Sequence, residues 1–257
     1  MIQYSAKLTD KQWQVIEKII NTQERKRKHF LRNIMNAILY FLKTGCKWCM
    51  IPKDFAPCES VYYYFSKWKN EGIIEELIDK LRSKVRIMAG RKESPNLGII
   101  DSRSAKTSHH VDSDRVLDGN KKIKGRKQHI IVDTQRNLMA IAVHEANVHD
   151  SEGAPEVIKN LAYKFPRLAK ILADSGYRGN LADWILDKFG WELEVVLRPD
   201  ECPSKFKVLP KRWIVERFFA WLENFRRLTI DYEYNADTAV VMVQLAFCKI
   251  MLNKFIG

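Results

Sequence analysis

The sequence predicts an α/β fold in which a helical region precedes a mixed five-stranded sheet with flanking helices. Between residues 9 and 88 the apolar residues recur at helical spacing, whereas short apolar runs of strand length begin only after Pro95. From there strand and helix patterns follow one another, which is typical of an α/β domain. We therefore expect a helical domain over residues 1–90 and a sheet-containing domain over residues 91–257.

Four helices are predicted in the first region. Thr9 is a suitable N-cap for LTDKQWQVIEKII, and the second helix runs from about His29 to Gly45, a suitable C-cap. The third, ESVYYYFSKWKNEG, ends at Gly72, and the fourth is IIEELIDKLRSKV. Short helices joined by tight turns on a basic segment are typical of a helix-turn-helix.

On that interpretation the third helix enters the major groove of DNA. Lys67 and Lys69 then contact phosphate or base edges, with Tyr62 or Tyr63 beside them. The alternative is a helical bundle with these aromatic side chains in its core.

Five strands are predicted in the second region. The turn-like QRN separates the second from the third, which indicates a hairpin. Helices are expected over about 151–163, in NLADWILDKFG, over about 210–226 and over about 236–255; the last is apolar almost all round and should be buried. The strands are LGIID (97–101), QHIIVDT (128–134), LMAIAVHEA (138–146), LAKILAD (168–174) and ELEVVLR (192–198).

The charge of the chain favours a polyanionic partner. The formal net charge is +13, and residues 1–89 hold 17 Lys and Arg against 9 Asp and Glu. Such an excess points to nucleic acid or an acidic membrane face, the alternative being a merely basic soluble protein. The apolar run AILYFL is far shorter than the roughly 20 residues of a membrane span. The N-terminal residues lack the apolar segment of a signal peptide, and an odd number of cysteines, five, suits a reducing cytoplasm.

Two aspartates close apolar strands in the same way. Asp101 ends the run in GIIDSRSAKTS, and Asp174 ends KILAD before the small residues of SGYRG. Asp is also common wherever a strand gives way to a turn, so each position alone is weak evidence. Glu216 lies off the apolar face of the helix in KRWIVERFFAWLENFRRL, where a surface ion pair with Arg212 is the alternative role.

Two strand aspartates and one helix glutamate are what two-metal phosphoryl transfer requires. Two Mg²⁺ ions about 3.5–4 Å apart need several oxygen ligands, and no nucleophilic side chain is needed. The pair His149–Asp150 is similar to the HD pair of metal phosphohydrolases, but a role in a loop near the site is favoured.

Several segments together resemble bacterial DDE transposases of the IS4/IS5 type, particularly the IS5 branch, over about residues 7–256. They include NAILYFLKTGCKW, IDSRSAKT, KKIKGRKQHIIVDT, ANVHDSEGA, LADSGYRG and RWIVERFFAWLENFRRL. The resemblance implies an RNase H-like domain after a helical DNA-binding region. It implies that Asp101, Asp174 and Glu216 form the catalytic triad, with separations of 73 and 42 residues that suit the family.

The wider family also carries a Tyr-x2-Arg-x3-Glu-x6-Lys signature, which this sequence matches in part. Arg212 and Glu216 occupy their positions, whereas Leu209 replaces the Tyr and Glu223 the Lys. Further DNA contacts are expected from Arg178, with a structural ion pair as the alternative, and from the basic segment KKIKGRK, a solvated loop otherwise. Its cations are Lys121, Lys122, Lys124, Arg126 and Lys127.

The family implies cleavage of DNA at the ends of an insertion sequence and transfer of the freed 3′-OH groups to target DNA. It implies two Mg²⁺ ions, for which Mn²⁺ substitutes, and binding of the terminal inverted repeats. Because two ends meet, a homodimer or larger synaptic complex on cytoplasmic, nucleoid-associated DNA is expected, with no membrane partner. The alternatives are another RNase H-like nuclease, such as a junction resolvase, and a non-catalytic DNA-binding regulator.

Overall fold

The computed structural model describes residues 6–20, 26–108, 116–119, 122–196 and 212–256. The chain folds as two compact units. The helical unit comprises Met1–Val85, Trp221–Ile230 and Val241–Gly257, and the sheet unit comprises Arg86–Ala220 and Asp231–Val240.

The first unit boundary lies close to the one predicted at residue 90, but the C-terminal segments differ from the prediction. Trp221–Ile230 and Val241–Gly257 belong to the helical unit and not with the sheet. Their apolar side chains explain the difference, because they complete the core of that unit. In it the side-chain amide of Gln12 donates to the carbonyl of Leu252 at 3.1 Å.

The helical unit begins with the four helices that the sequence predicts. Thr9 and Gln12 cap the first helix reciprocally, since each backbone N–H donates to the side-chain oxygen of the other residue. Gly45 ends the second helix in the left-handed conformation with φ 70°, as the capping prediction requires. The helices are α1 Asp10–Ile20, α2 Leu31–Thr44, α3 Cys58–Asn70 and α4 Ile73–Met88.

Aromatic side chains of this unit divide between core and surface. The rings of Phe41 and Trp48 stack at 3.7 Å between centroids, and Phe65 and Trp68 are buried. Tyr62 and its neighbour in α3, in contrast, are more than half exposed. One face of α3 therefore builds the core and the other presents tyrosines to solvent.

The sheet unit contains the five predicted strands in a mixed sheet. Strand β3 lies between β4 and β1 with antiparallel pairing, and β5 and β6 continue the sheet parallel to β1. This is the RNase H-like arrangement, so the predicted fold class is confirmed. The strands are β1 Leu97–Lys106, β2 Val116–Asp118, β3 Ile123–Asp133, β4 Leu138–Glu145, β5 Lys170–Ala173 and β6 Glu192–Val195.

Strands β1 and β3 are longer than predicted, and the short β2 was not predicted. The added half of β1 pairs Ser102–Lys106 with Gly125–His129 of β3. These segments are rich in polar residues, so they lack the apolar runs by which a strand is predicted from sequence. They form strands because several of their polar side chains are bonded inside the unit.

Two helices, Asp150–Lys159 and Leu181–Phe189, pack on strands of this sheet, and two more follow toward the C-terminus. The core beside β3 and β4 is built from aliphatic side chains that include Ile131, Val157 and Ile171, all of them fully buried. The helices are α5 Asp150–Lys159, α6 Leu181–Phe189, α7 Arg212–Leu222 and α8 Ala236–Asn253.

Helix α8 is long and apolar enough to be considered as a membrane span. However, 56% of that stretch is buried inside the protein, which is typical of a core helix. Val243, Phe247 and Met251 are completely buried, in agreement with the predicted buried helix.

Candidate functional site

The structure brings Asp101 and Asp174 together at one edge of the sheet. Strands β1 and β5 are parallel neighbours in which Ile99 pairs with Leu172. Each aspartate follows two residues after that pair, so the two lie side by side where β5 ends. Both line one small cavity, together with Val215 of α7. The register thus brings the two aspartates together as expected, although only Asp174 follows the end of its strand, because β1 continues to Lys106.

Local hydrogen bonds fix both aspartates. Asp174 caps the short helical turn Ser175–Tyr177, because its Oδ1 accepts the backbone N–H of Gly176 at 2.9 Å. Asp101 Oδ1 accepts the N–H of Ser102 at 2.7 Å. Both aspartates are half-buried. They are therefore held in place and remain partly accessible to solvent.

Glu216 lies exposed on α7, directly after the buried cavity residue Val215. In the ranges that the structure describes, no group of three His, Cys, Asp or Glu side chains is close enough to hold a metal ion as it stands. The structure therefore unites Asp101 with Asp174 and places Glu216 on the helix that borders their cavity. The catalytic triad stays a prediction.

Asp150 is a further carboxylate at this edge. Burial opposes its ionisation, but hydrogen bonds from His129, Ser102 and Lys127 outweigh burial and hold the pKa of Asp150 well below its usual range. All three donors contact Oδ1: Ser102 Oγ at 2.8 Å, Lys127 Nζ at 3.1 Å and His129 Nε2 at 3.3 Å. Asp150 is therefore a carboxylate at neutral pH.

Tyr177 lies close to these carboxylates. Its side chain is buried, and its hydroxyl has no hydrogen-bond partner among the residues that the structure describes. Burial raises the pKa of Tyr177 well above its usual value, and the charges of Asp150, Asp101 and Asp174 raise it further. The nearby Ser102 hydroxyl offsets a small part of that rise without a properly oriented hydrogen bond.

These side chains suit a divalent cation. Their carboxylate oxygens are hard ligands, which Mg²⁺ and Mn²⁺ prefer. The orphaned hydroxyl of Tyr177 adds a donor that a cation-bound oxygen can satisfy. The residues at this edge thus fit the metal ions that the resemblance implies.

Arg126 and Lys127 of the basic segment KKIKGRK are buried, which corrects the prediction that these two residues contact DNA. Arg126 is fully buried and donates to the carbonyls of Glu233 and Tyr234 at 2.8 and 2.6 Å. Lys127 is buried on the opposite face of β3, where it binds Asp150 and the carbonyl of Val148. Both cations neutralise internal acceptors and cannot reach a DNA backbone.

The other predicted contacts are placed differently. Three of them are exposed: Lys122, Lys124 and Arg178. Lys67 and Lys69 are half-buried, and Lys67 Nζ lies 3.7 Å from Glu71 Oε1. Lys121, Leu209 and the side chain of Arg212 lie outside the described residues.

Comparisons with known proteins point in one direction. Residues 92–251 match the family model described as "Transposase DDE domain", and residues 8–78 match "Putative transposase of IS4/5 family". A relative from Burkholderia cepacia, "Putative transposase for insertion sequence element IS402", is 31% identical over 136 residues. That match covers 50% of this chain and spans 64% of the relative's length.

Two solved structures show weaker similarity. "Mos1 transposase paired-end complex with left transposon end" has a TM-score of 0.29 at 11% identity, covering 80% of this chain and 78% of that one. "Crystal structure of the Mos1 Strand Transfer Complex" has a TM-score of 0.28 at 11% identity, covering 91% and 80%. Scores this low add nothing to the family match.

Proposed function

This chain belongs to the family of transposases with a DDE domain, of the IS4/5 type, and we propose that it cleaves DNA at the ends of an insertion sequence and joins the freed 3′-OH groups to target DNA. The observation that carries the proposal is the meeting of Asp101 and Asp174 in one cavity, where the parallel pairing of β1 with β5 ends. Paired carboxylates at such an edge suit metal-assisted phosphoryl transfer.

Asp101, Asp174 and Glu216 are the proposed ligands of two Mg²⁺ ions, with Mn²⁺ as a substitute. When bound, the two cations activate the attacking oxygen and stabilise the leaving oxygen of the phosphodiester. The backbone hydrogen bonds of Asp101 and Asp174 keep their carboxylates oriented before DNA arrives. The exposure of Glu216 leaves it accessible to an incoming DNA strand.

DNA is the proposed partner of both units. A groove beside the site is lined by Lys159, Arg178 and Trp184, among others, and its two cations suit backbone phosphates. The exposed Lys122 and Lys124 extend the positive charge of the sheet unit.

The helical unit is proposed to bind the terminal inverted repeats through α3. Its exposed tyrosines and the partly exposed Lys69 support this role. Since two ends must be joined, the active form is a homodimer or a larger synaptic complex. The protein would act on DNA in the cytoplasm, at the nucleoid.

The substitution Asp101→Asn tests the proposed function. Because the amide keeps the size but loses the charge, cleavage of cognate end DNA in Mg²⁺ should fall to background while end binding persists. The measurements are a strand-cleavage gel and an electrophoretic mobility shift. Asp183→Asn is a matched control, since Asp183 is an exposed carboxylate of α6, and it should cleave as the wild type does.

Undiminished cleavage by Asp101→Asn would show that the site assignment is wrong. Cleavage by the wild type without any joining of 3′-OH ends to a target would instead indicate a nuclease.

A further inference from the structure

The two oxygens of Asp150 have unequal surroundings. Three side chains hold Oδ1, from Ser102, Lys127 and His129. Oδ2 has no hydrogen-bond or ion-pair partner within the described ranges. The three donors belong to β1 and β3, so the sheet fixes the carboxylate and leaves one oxygen open.

The open oxygen faces Asp174 across Gly176. A methyl group built at Gly176 would lie 3.1 Å from Asp150 Oδ2 and also 3.1 Å from Asp174 Oδ1. Ordinary contacts of such a carbon are longer, so the space between the two carboxylates exists because residue 176 has no side chain. Asp150 thus places its second oxygen close to the Asp174 carboxylate, which lines the cavity.

The hydroxyl of Tyr177 is a second, independent sign that something is bound there. Tyr177 is 1% exposed and lies within the electrostatic reach of Asp150, Asp101 and Asp174, and its hydroxyl has no hydrogen-bond partner in the part of the chain that the structure describes. A buried hydroxyl without a partner is unfavourable. A water molecule held by a cation among the three carboxylates would accept a hydrogen bond from this hydroxyl.

We infer that Asp150 is a further carboxylate ligand of the cation site at Asp101 and Asp174. The inference rests on the proposed function, since the cation is the one that phosphoryl transfer requires. Neighbouring carboxylates repel one another unless a cation or proton lies between them. Because Mg²⁺ retains several waters, Asp150 can bind it directly or through one of them.

Mn²⁺ binding to the full chain without DNA tests this inference. Affinity is measured by electron paramagnetic resonance or calorimetry for wild type, Asp101→Asn and Asp150→Asn. Asp150→Asn should bind Mn²⁺ roughly tenfold or more weakly than wild type. Glu152→Gln is the matched control, because it removes an exposed charge from the same helical turn, and its affinity should be unchanged.

Gly176→Ala is a second variant that keeps every carboxylate. Its methyl group would intrude between Asp150 and Asp174 and should also weaken Mn²⁺ binding. Circular dichroism establishes that each variant is folded. If Asp150→Asn does not fold, the Mn²⁺ affinity of Gly176→Ala decides whether Asp150 is a ligand.

The outcomes separate this inference from the proposed function. If Asp101→Asn loses Mn²⁺ while Asp150→Asn and Gly176→Ala bind it as tightly as wild type, Asp150 is not a ligand and the proposed function stands. If Asp150→Asn binds Mn²⁺ weakly but the wild-type protein does not cleave DNA, the ligand role of Asp150 is supported and the proposed function is refuted. A wild type that binds no Mn²⁺ would overturn the ligand role.

Discussion

Two carboxylates that bind side chains or backbone of strand β3 and its neighbours are bonded in different ways. Asp133, at the end of the strand, has both oxygens occupied: Oδ1 accepts the N–H groups of Gln135 and Asn137, and Oδ2 accepts from Arg86 at 2.6 Å and the Asn137 amide at 2.9 Å. Asp150 has three contacts on Oδ1 and none on Oδ2 among the described residues.

The difference separates a structural ion pair from a site residue. A buried carboxylate that only stabilises the fold should have its hydrogen-bonding capacity filled, because each unfilled acceptor in the interior is unfavourable. Asp133 meets that condition with a completely buried side chain, whereas Asp150 keeps 27% of its side chain exposed. Removing Asp133 should therefore affect stability, and removing Asp150 should affect cation binding.

The largest expected effect on stability is that of Asp133→Ala. It leaves the buried guanidinium of Arg86 without its carboxylate, which should lower the free energy of unfolding by about 3–5 kcal/mol. Asp150→Ala should cost clearly less, because the carboxylates it leaves behind no longer repel a neighbour. Urea denaturation of the two variants measures the difference. Equal losses of unfolding free energy in the two variants would mean that Asp133 and Asp150 do not differ in role.

An intermediate effect is expected from Gly153→Ala, which disturbs only the Asp150 side. Its methyl group would lie 2.4 Å from His144 Nε2 and 2.5 Å from His129 Cε1, so the imidazole pair beside Asp150 must move. Overpacking of this kind costs about 1–3 kcal/mol. Thermal denaturation measures that loss, and Mn²⁺ affinity should fall as His129 shifts.

Gly119→Ala is the control for that comparison, because no atom of the described residues lies within 4 Å of its added methyl group. It should leave both the melting temperature and the Mn²⁺ affinity unchanged. A Gly153→Ala protein as stable as this control would contradict the close packing around the imidazoles.

The sequence predicts the pairing of Asp101 with Asp174 better than the contacts of Asp150. Asp101 and Asp174 could be paired because parallel strands align the residues at their ends. Asp150 could be suspected only as a loop residue, since its partners Lys127, His129 and Ser102 are 21 to 48 residues away. Contacts of that range depend on register and packing, which spacing along the chain does not reveal.

The same reason explains the basic segment around Gly125. Five cations in seven residues favour contact with DNA, yet the antiparallel pairing with β1 carries Arg126 and Lys127 into the interior. Their counter-charges, Asp231 and Asp150, come from distant parts of the chain. Local capping at Thr9 was predictable, in contrast, because both partners lie within one helical turn.

The smallest expected effect concerns pH. The pKa of Asp150 is depressed in the folded protein, so its stabilising contribution is complete above the unfolded pKa of about 3.9 and disappears as the pH falls toward the folded pKa. Asp150→Asn should be less stable than wild type by about 1–2 kcal/mol, because Lys127 loses its charged partner.

That difference should stay constant from about pH 8 down to pH 4.5 and narrow only below about pH 4. Melting temperatures of the two proteins across this range measure it, with Glu152→Gln as the exposed counterpart. A difference that already narrows between about pH 6 and pH 5 would mean that the bonds to Oδ1 do not hold Asp150 ionised. The open oxygen would then be a protonated donor rather than a cation ligand, and Asp150 would resemble neither Asp133 nor the cavity aspartates.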